Sequence, residues 1–209
     1  DNDTKIEVVP PLLRQQVKSI VPQAGERWLA YLTHFRLSED IMAWSNANPE
    51  VKLDCFWDNP TRKETYHYSD SLTFHPIDAE NYLAKMTECA GLISTAGFES
   101  VAEAMYLGKP AMMVPVPNHI EQMINAFDGE MSGAGIGATS FDLSIFKNYL
   151  PSHVSVKDQY QEWVSQSQRL MAGHLSDLIA QPVYVANFGQ NQGTGLSGML
   201  GRRRFRWSR

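Results

Sequence analysis

Gly97, Ser100 and Glu103 follow one another at intervals of three residues, just beyond the apolar run Gly91–Ser94. That run reads as a strand and Phe98–Leu107 as a helix, so Thr95, Ala96 and Gly97 form a small-residue turn between them. Such a turn lets an anion reach the backbone. The free N–H groups of the helix's first turn, from Phe98 to Ser100, and the positive end of its dipole favour a phosphate there. Glu103 lies one and a half turns further on, where a carboxylate can accept two hydroxyl hydrogen bonds, as from a ribose. Each feature alone also has a plain structural reading. Glycine serves many strand-to-helix turns for steric reasons, and a helix glutamate is ordinarily solvated.

The elements that must position these groups alternate. Trp28–Thr33, Val51–Trp57, Leu72–His75, Gly91–Ser94 and Ala111–Pro115 read as nearly all-apolar strands. Ser38–Ala47, Asp78–Cys89, Phe98–Leu107 and Ile120–Met131 read as helices between them, the third stopping at Gly108 with Pro110 beyond. On that third helix Val101 and Met105 form the face expected to pack on the sheet. This pattern predicts an α/β, Rossmann-like domain: a parallel sheet with helices on both faces, ligands being held at the carboxyl ends of the strands. Ser155–Ala180 has helical period and predicts one or two further helices. Tyr66-His67-Tyr68 reads as a half-buried turn or strand.

Gly97, Ser100, Glu103, Gly108, Pro110, Pro115 and Glu121-Gln122 resemble the donor-site pattern of GT-B glycosyltransferases, both the UDP-glycosyltransferases and the bacterial peptidoglycan N-acetylglucosaminyltransferase. The spacing agrees over about fifty residues, and a weaker likeness to the family's whole C-terminal domain runs from about Gln23 to Ala180. The resemblance implies a donor-binding half whose ligand is a nucleotide diphosphate sugar such as a UDP-sugar, with no metal or other cofactor. It also implies an N-terminal acceptor-binding domain or subunit that supplies the catalytic base, so this chain alone should be inactive. Carried over residue by residue, the Phe74–Ile77 loop, with His75 and Ile77, would read the base. Thr95, Ala96, Gly97, Phe98 and Ser100 would hold the diphosphate, Glu103 the ribose, and Glu121 with Gln122 the sugar hydroxyls. Thr95 stands where the plant-type pattern has a histidine, and Glu99 where it has an asparagine. The turn therefore lacks one cation, which His34 and Arg36, in the loop after the first strand, are placed to supply.

Composition narrows the alternatives. The 209 residues can bury one sizeable core. The net charge of −5 hides a tail, 182–209, that is Gly- and Gln-rich, then carries Arg202, Arg203, Arg204, Arg206 and Arg209 and no acid. The rest is thus about −10, which argues against nucleic acid as a partner. The tail cannot offset its chain entropy by burial and reads as disordered, with a basic arm on an anionic lipid surface, on nucleic acid or on a partner domain as the alternative. Cys55 and Cys89 have no paired spacing, and no stretch approaches the ~18 apolar residues of a membrane span, so a cytoplasmic setting is expected, at the membrane surface if the tail binds there. Residues 1–22, with Pro10-Pro11, read as an interdomain linker and the start of the domain, and 23–181 as the nucleotide-sugar domain. Asp1-Asn2-Asp3 has the letters of a metal-binding D-x-D but sits at a ragged terminus. Three rivals stay open: the donor subunit of a split glycosyltransferase, a nucleotide-sugar 2-epimerase-like enzyme, and a non-catalytic nucleotide-sugar-binding module.

Overall fold

Strands that are apolar on both sides must be covered on both sides, and the computed structural model, which describes residues 8–180, shows how this is met. β1 (Trp28–Leu32), β2 (Leu53–Trp57), β3 (Tyr66–His67), β4 (Leu72–Pro76), β5 (Gly91–Ser94), β6 (Ala111–Met113) and β7 (Gly135–Gly137) form one sheet in the order β3-β4-β2-β1-β5-β6-β7. All neighbours are parallel except β3, which pairs antiparallel with β4 at the edge.

Alternate strand residues feed two cores. On one face Leu29, Phe56 and Leu92 meet Tyr82 and Met86 of α3 (Ala79–Glu88), Val101 and Ala104 of α4 (Phe98–Leu107) and Ala126 of α5 (Ile120–Met131). On the other, Ala30, Cys55, Phe74 and Ile93 meet Ile41 of α2 (Ser38–Ala47) and Phe146 of α6 (Leu143–Tyr149). The fold is therefore the expected α/β sheet with helices on both faces. The chain winds outward from β1 through β2 to β4, then returns to β5 and winds the other way through β6 to β7. The reversal leaves a crevice between the carboxyl ends of β1 and β5, the place where such sheets hold ligands.

Several boundaries differ from the sequence reading. β2 begins at Leu53 rather than Val51, and β6 ends at Met113 rather than Pro115, because proline has no N–H to continue a ladder. β7 and α6 have no counterpart among the expected elements: Gly-Ile-Gly is too short and glycine-rich to read as a strand, and α6 has only seven residues. Ser155–Ala180 divides into α7 (Lys157–Ser165) and α8 (Ser167–Ala180). Within 8–22 the chain is packed: α1 (Gln15–Lys18) buries Val17 fully in the α3/α4 core. The Asp1-Asn2-Asp3 triplet and the tail 182–209 lie outside the described residues.

Candidate functional site

The loops after β1, β5 and β6 meet at the crevice. Tyr31 of β1 is in register with Ser94 of β5, and Ser94 with Met113 of β6, so the three loops leave from neighbouring strands spaced ~4.8 Å apart. Between β5 and α4 the chain turns sharply. Ala96 adopts φ 59°, a left-handed conformation that costs a non-glycine residue ~1–2 kcal/mol, and Asn125 of α5 donates to its carbonyl at 3.1 Å. Asn118, in the loop after β6, is the other left-handed non-glycine residue among those described. Both strained positions thus lie at this edge of the sheet, where strain commonly accompanies function.

Gly97 is the N-cap of α4 and contributes no side-chain cap, so the first-turn N–H groups of Phe98, Glu99 and Ser100 are not capped by a side chain. A Cβ built on Gly97 meets nothing within 4 Å, so the approach to these donors is open. Ten residues of helical dipole stand behind them. At the far end Gly108 takes φ 73° and closes the helix in the expected way, with Lys109 N–H donating to Ala104 O at 2.8 Å.

The individual side chains are placed as follows. Thr95 and Ala96 are fully buried, so this turn offers backbone and the Gly97 gap rather than their side chains. Phe98 is half exposed, and Ser100 stands beside the buried Tyr82 phenol, which burial pushes upward. Glu103 is buried, its carboxylate held by Arg14 at 2.7 and 2.8 Å. That hydrogen-bonded pairing raises the Arg14 pKa further, with added attraction from Glu99. Arg14 is the cation that the sequence reading missed, because it lies in the stretch read as linker. His34 is exposed at the end of β1; its Nδ1 accepts from Arg36 N–H at 3.1 Å and its ring stacks on Phe35.

The base-reading loop is shorter than expected. Phe74 is inside β4 and stacks on Trp57 at 4.1 Å. His75 is also a strand residue: it is paired with Phe56, yet its Nε2 reaches Asp54 at 2.7 Å, two positions back toward the amino end. Its ring therefore points away from the carboxyl edge, as a member of a buried cluster in which Arg27 at 2.6 Å and Lys85 at 3.4 Å also face Asp54. Only Ile77, about half exposed, stands at the edge itself. It leaves from β4, three strands from β5, so a ligand touching both Ile77 and the Gly97 turn must lie extended over ~14 Å of sheet edge.

Beyond β6, Glu121 is exposed in the first turn of α5, whereas Gln122 is buried and its Oε1 accepts from Val116 N–H at 2.8 Å. His119 Nδ1 accepts from Gln122 N–H and caps the helix. Gln122 thus fixes the loop that presents Glu121. Among the described residues no group of three or more His, Cys, Asp or Glu is arranged to hold a metal ion, and no helix is long and apolar enough to cross a membrane.

Strand order and reversal crevice define a doubly wound α/β domain with a side-chain-uncapped helix N-terminus at its switch point. Solved structures share the fold at low identity: LpCGTa in complex with UDP (TM-score 0.55, 14% identity, 82% of this chain and 47% of that one), and spinosyn forosaminyltransferase SpnP (TM-score 0.54, 15% identity, 82% and 48%). The chain belongs to glycosyl transferase family 1, which it matches over residues 2–152. Among curated proteins it is similar to the UDP-N-acetylglucosamine–N-acetylmuramyl-(pentapeptide) pyrophosphoryl-undecaprenol N-acetylglucosamine transferases of Lactobacillus acidophilus (29% identical over 121 residues, 56% of this chain and 32% of the relative) and Lactobacillus helveticus (31% over 96 residues, 44% and 26%). The chain thus spans about a third or less of these relatives and under half of the solved chains.

Proposed function

We propose that this chain is the donor-binding half of a glycosyltransferase that moves a hexose or N-acetylhexosamine from a nucleoside diphosphate to an acceptor hydroxyl. The observation that carries the reading is the side-chain-uncapped N-terminus of α4, set at the β1/β5 crevice with open space before Gly97. A diphosphate seated there receives backbone N–H donors and the helix dipole. As the glycosidic bond breaks, charge grows on the leaving diphosphate, and those same donors stabilise it without having to reorganise. Glu103 lies deeper along α4, on the side of Tyr82 and Arg14, where ribose hydroxyls would meet its carboxylate. Glu121, exposed in the first turn of α5, would accept from the sugar.

In this proposal the group that activates the acceptor comes from another half of the enzyme, joined to this segment or separate. The ligand is a UDP-sugar, in keeping with the UDP-N-acetylglucosamine named for the Lactobacillus relatives. No metal is required in this reading, since the helix N-terminus supplies the positive field, and the setting is cytoplasmic, at the membrane surface if the basic tail binds there. Calorimetric titration with UDP, dTDP and GDP tests the core of it. UDP is expected to bind with a Kd on the order of 10 μM to 1 mM and ahead of the other two. Absence of binding by all three would remove the donor-site reading.

A further inference from the structure

Helix α5 carries its large apolar residues on the outside. Its inward positions are Gln122, Ala126 and Gly129, while Ile120, Met123, Ile124, Phe127 and Met131 are 72%, 53%, 61%, 68% and 73% exposed. At 100° per residue, Ile120, Ile124, Phe127 and Met131 fall within about 60° of one another and form a stripe about 16 Å long. Single exposed apolar residues are ordinary, but a contiguous stripe marks a contact surface.

Three features say what covers it. The charge pattern comes first: α5 carries Glu121, Asp128 and Glu130 and no basic residue. That sign repels an anionic lipid surface, and it repels a second copy docked stripe to stripe. A protein surface with an apolar groove and a basic rim fits it. The stripe also begins at Ile120, directly after the Val116–His119 loop, so it is continuous with the candidate donor site. Finally, Val8 and Val9 line a groove of about 210 Å³ together with Phe98 of α4 and Asn125, Asp128 and Gly129 of α5. Val8, the first of the described residues, therefore lies alongside this helix.

We infer that the α5 stripe is the docking face for the acceptor-binding half of the transferase. This rests on the donor-half reading. The test is a photoreactive benzoylphenylalanine placed at Phe127, with a control at exposed Glu39 on the opposite face of the sheet, in the protein as its own cells make it. UDP affinity of the unmodified protein and of each variant is measured alongside. The Phe127 probe should crosslink, and the Glu39 probe should not, to a peptide, of the same polypeptide or of another, that mass spectrometry places in an acceptor-binding half required for transfer. Phe127→Asp should lower transfer at least tenfold with UDP affinity unchanged. Crosslinking to lipid or to a second copy, or no crosslink in a protein that still binds UDP, would overturn the inference alone. Failure of the unmodified protein to bind UDP would overturn the donor reading and this inference with it.

Discussion

The guanidinium of Arg14 closes a two-pronged ion pair on Glu103, Nε to Oε1 at 2.7 Å and Nη2 to Oε2 at 2.8 Å, across 89 residues of chain. Glu103 has only 4% of its side chain exposed and Arg14 40%, so a buried carboxylate is reached from outside by a cation at the N-cap of α1. The pair ties residues 8–22 to the helix whose N-terminus forms the anion site. It also brings a positive charge beside Glu99, which would otherwise oppose an anion at that turn.

Glu103 should be legible in ligand preference. Both of its oxygens are held by Arg14 and only 4% of the side chain is exposed, so a ribose meets the carboxylate only where the exposed Arg14 side chain swings aside. Glu103→Ala should weaken UDP by roughly 1–3 kcal/mol, while 2′-deoxy-UDP, which lacks one of the hydroxyls, should lose less. The ratio of the two affinities therefore collapses in the variant. An unchanged ratio in parallel titrations would take the ribose away from Glu103.

Arg14→Ala leaves Glu103 buried with its cation gone. Because Arg14 is substantially exposed, solvent screening limits the pair, and the expected loss in urea unfolding is about 1–2 kcal/mol. The double variant with Glu103→Ala should recover part of it. If Arg14→Ala proves neutral, the segment 8–22 is held by apolar packing, with Val17 and Ile20 against the α3/α4 core.

Glycine substitutions should separate folding from binding. Gly97 has φ −67° and an empty Cβ position, so Gly97→Val should leave Tm within about 2 °C while UDP affinity falls at least about tenfold. Gly135 is the contrast: its Cβ would sit 1.7 Å from the Ala111 carbonyl, so Gly135→Ala should destabilise the fold by about 3 kcal/mol or more. Ala96→Gly releases a left-handed alanine and should add about 0.5–1 kcal/mol of stability after the entropy of glycine is subtracted. Thermal melts and UDP titration of the three variants decide the matter, and loss of fold in Gly97→Val would contradict the open approach.

How far the sequence reveals all this follows from the range of the forces involved. Strand and helix periodicity is local, so β1, β5, α4 and the Gly108 stop could be read directly, whereas the strand order and the reversal crevice it creates depend on long-range pairing that alternation does not fix. Position along a strand is not chemistry, however. His75 looked like an edge residue, but a carboxylate two positions back on the neighbouring strand draws its ring the other way. Arg14 and Glu103 are partners only once α1 packs on α4, which no spacing announces. β7 is held by its ladder with β6, not by residue preference.

The Asp54 cluster should govern acid stability. Burial alone would raise this carboxyl, but hydrogen bonds from His75 and Arg27 and the charge of Lys85 outweigh it and hold the group well below its ordinary value near 3.8. A depressed folded value stabilises the protein above the ordinary value, and that stability is lost as pH falls below about 4 toward the folded value. Asp54→Asn should remove this acid limb and cost about 3 kcal/mol at pH 7, since Arg27, Lys85 and His75 are left facing a neutral amide. Urea midpoints from pH 2.5 to 7 measure it, and an identical slope in the variant would assign the acid limb elsewhere.

Glu121 and Gln122 are neighbours in sequence with divided tasks. Gln122 is buried and spends its amide oxygen on Val116 N–H, so Gln122→Ala leaves that donor unpaired and should cost about 1–2 kcal/mol, a Tm loss of roughly 2–8 °C for a chain of this size. Because the loop it fixes carries the next contact, the variant should weaken binding of the nucleotide sugar as well. Glu121 is exposed in the first turn of α5 and has no such structural duty beyond a favourable charge at the helix N-terminus, worth a few tenths of a kcal/mol. Glu121→Ala should therefore leave Tm within about 1 °C. If the carboxylate reads sugar hydroxyls, it should weaken UDP-N-acetylglucosamine by about 1 kcal/mol or more and leave UDP unchanged. Parallel titrations of both ligands, with melts of both variants, make the comparison. A Glu121→Ala protein that binds the sugar nucleotide as the parent does would take the sugar out of reach of α5, and a Gln122→Ala protein of undiminished Tm would show that the Val116 loop stands without its brace.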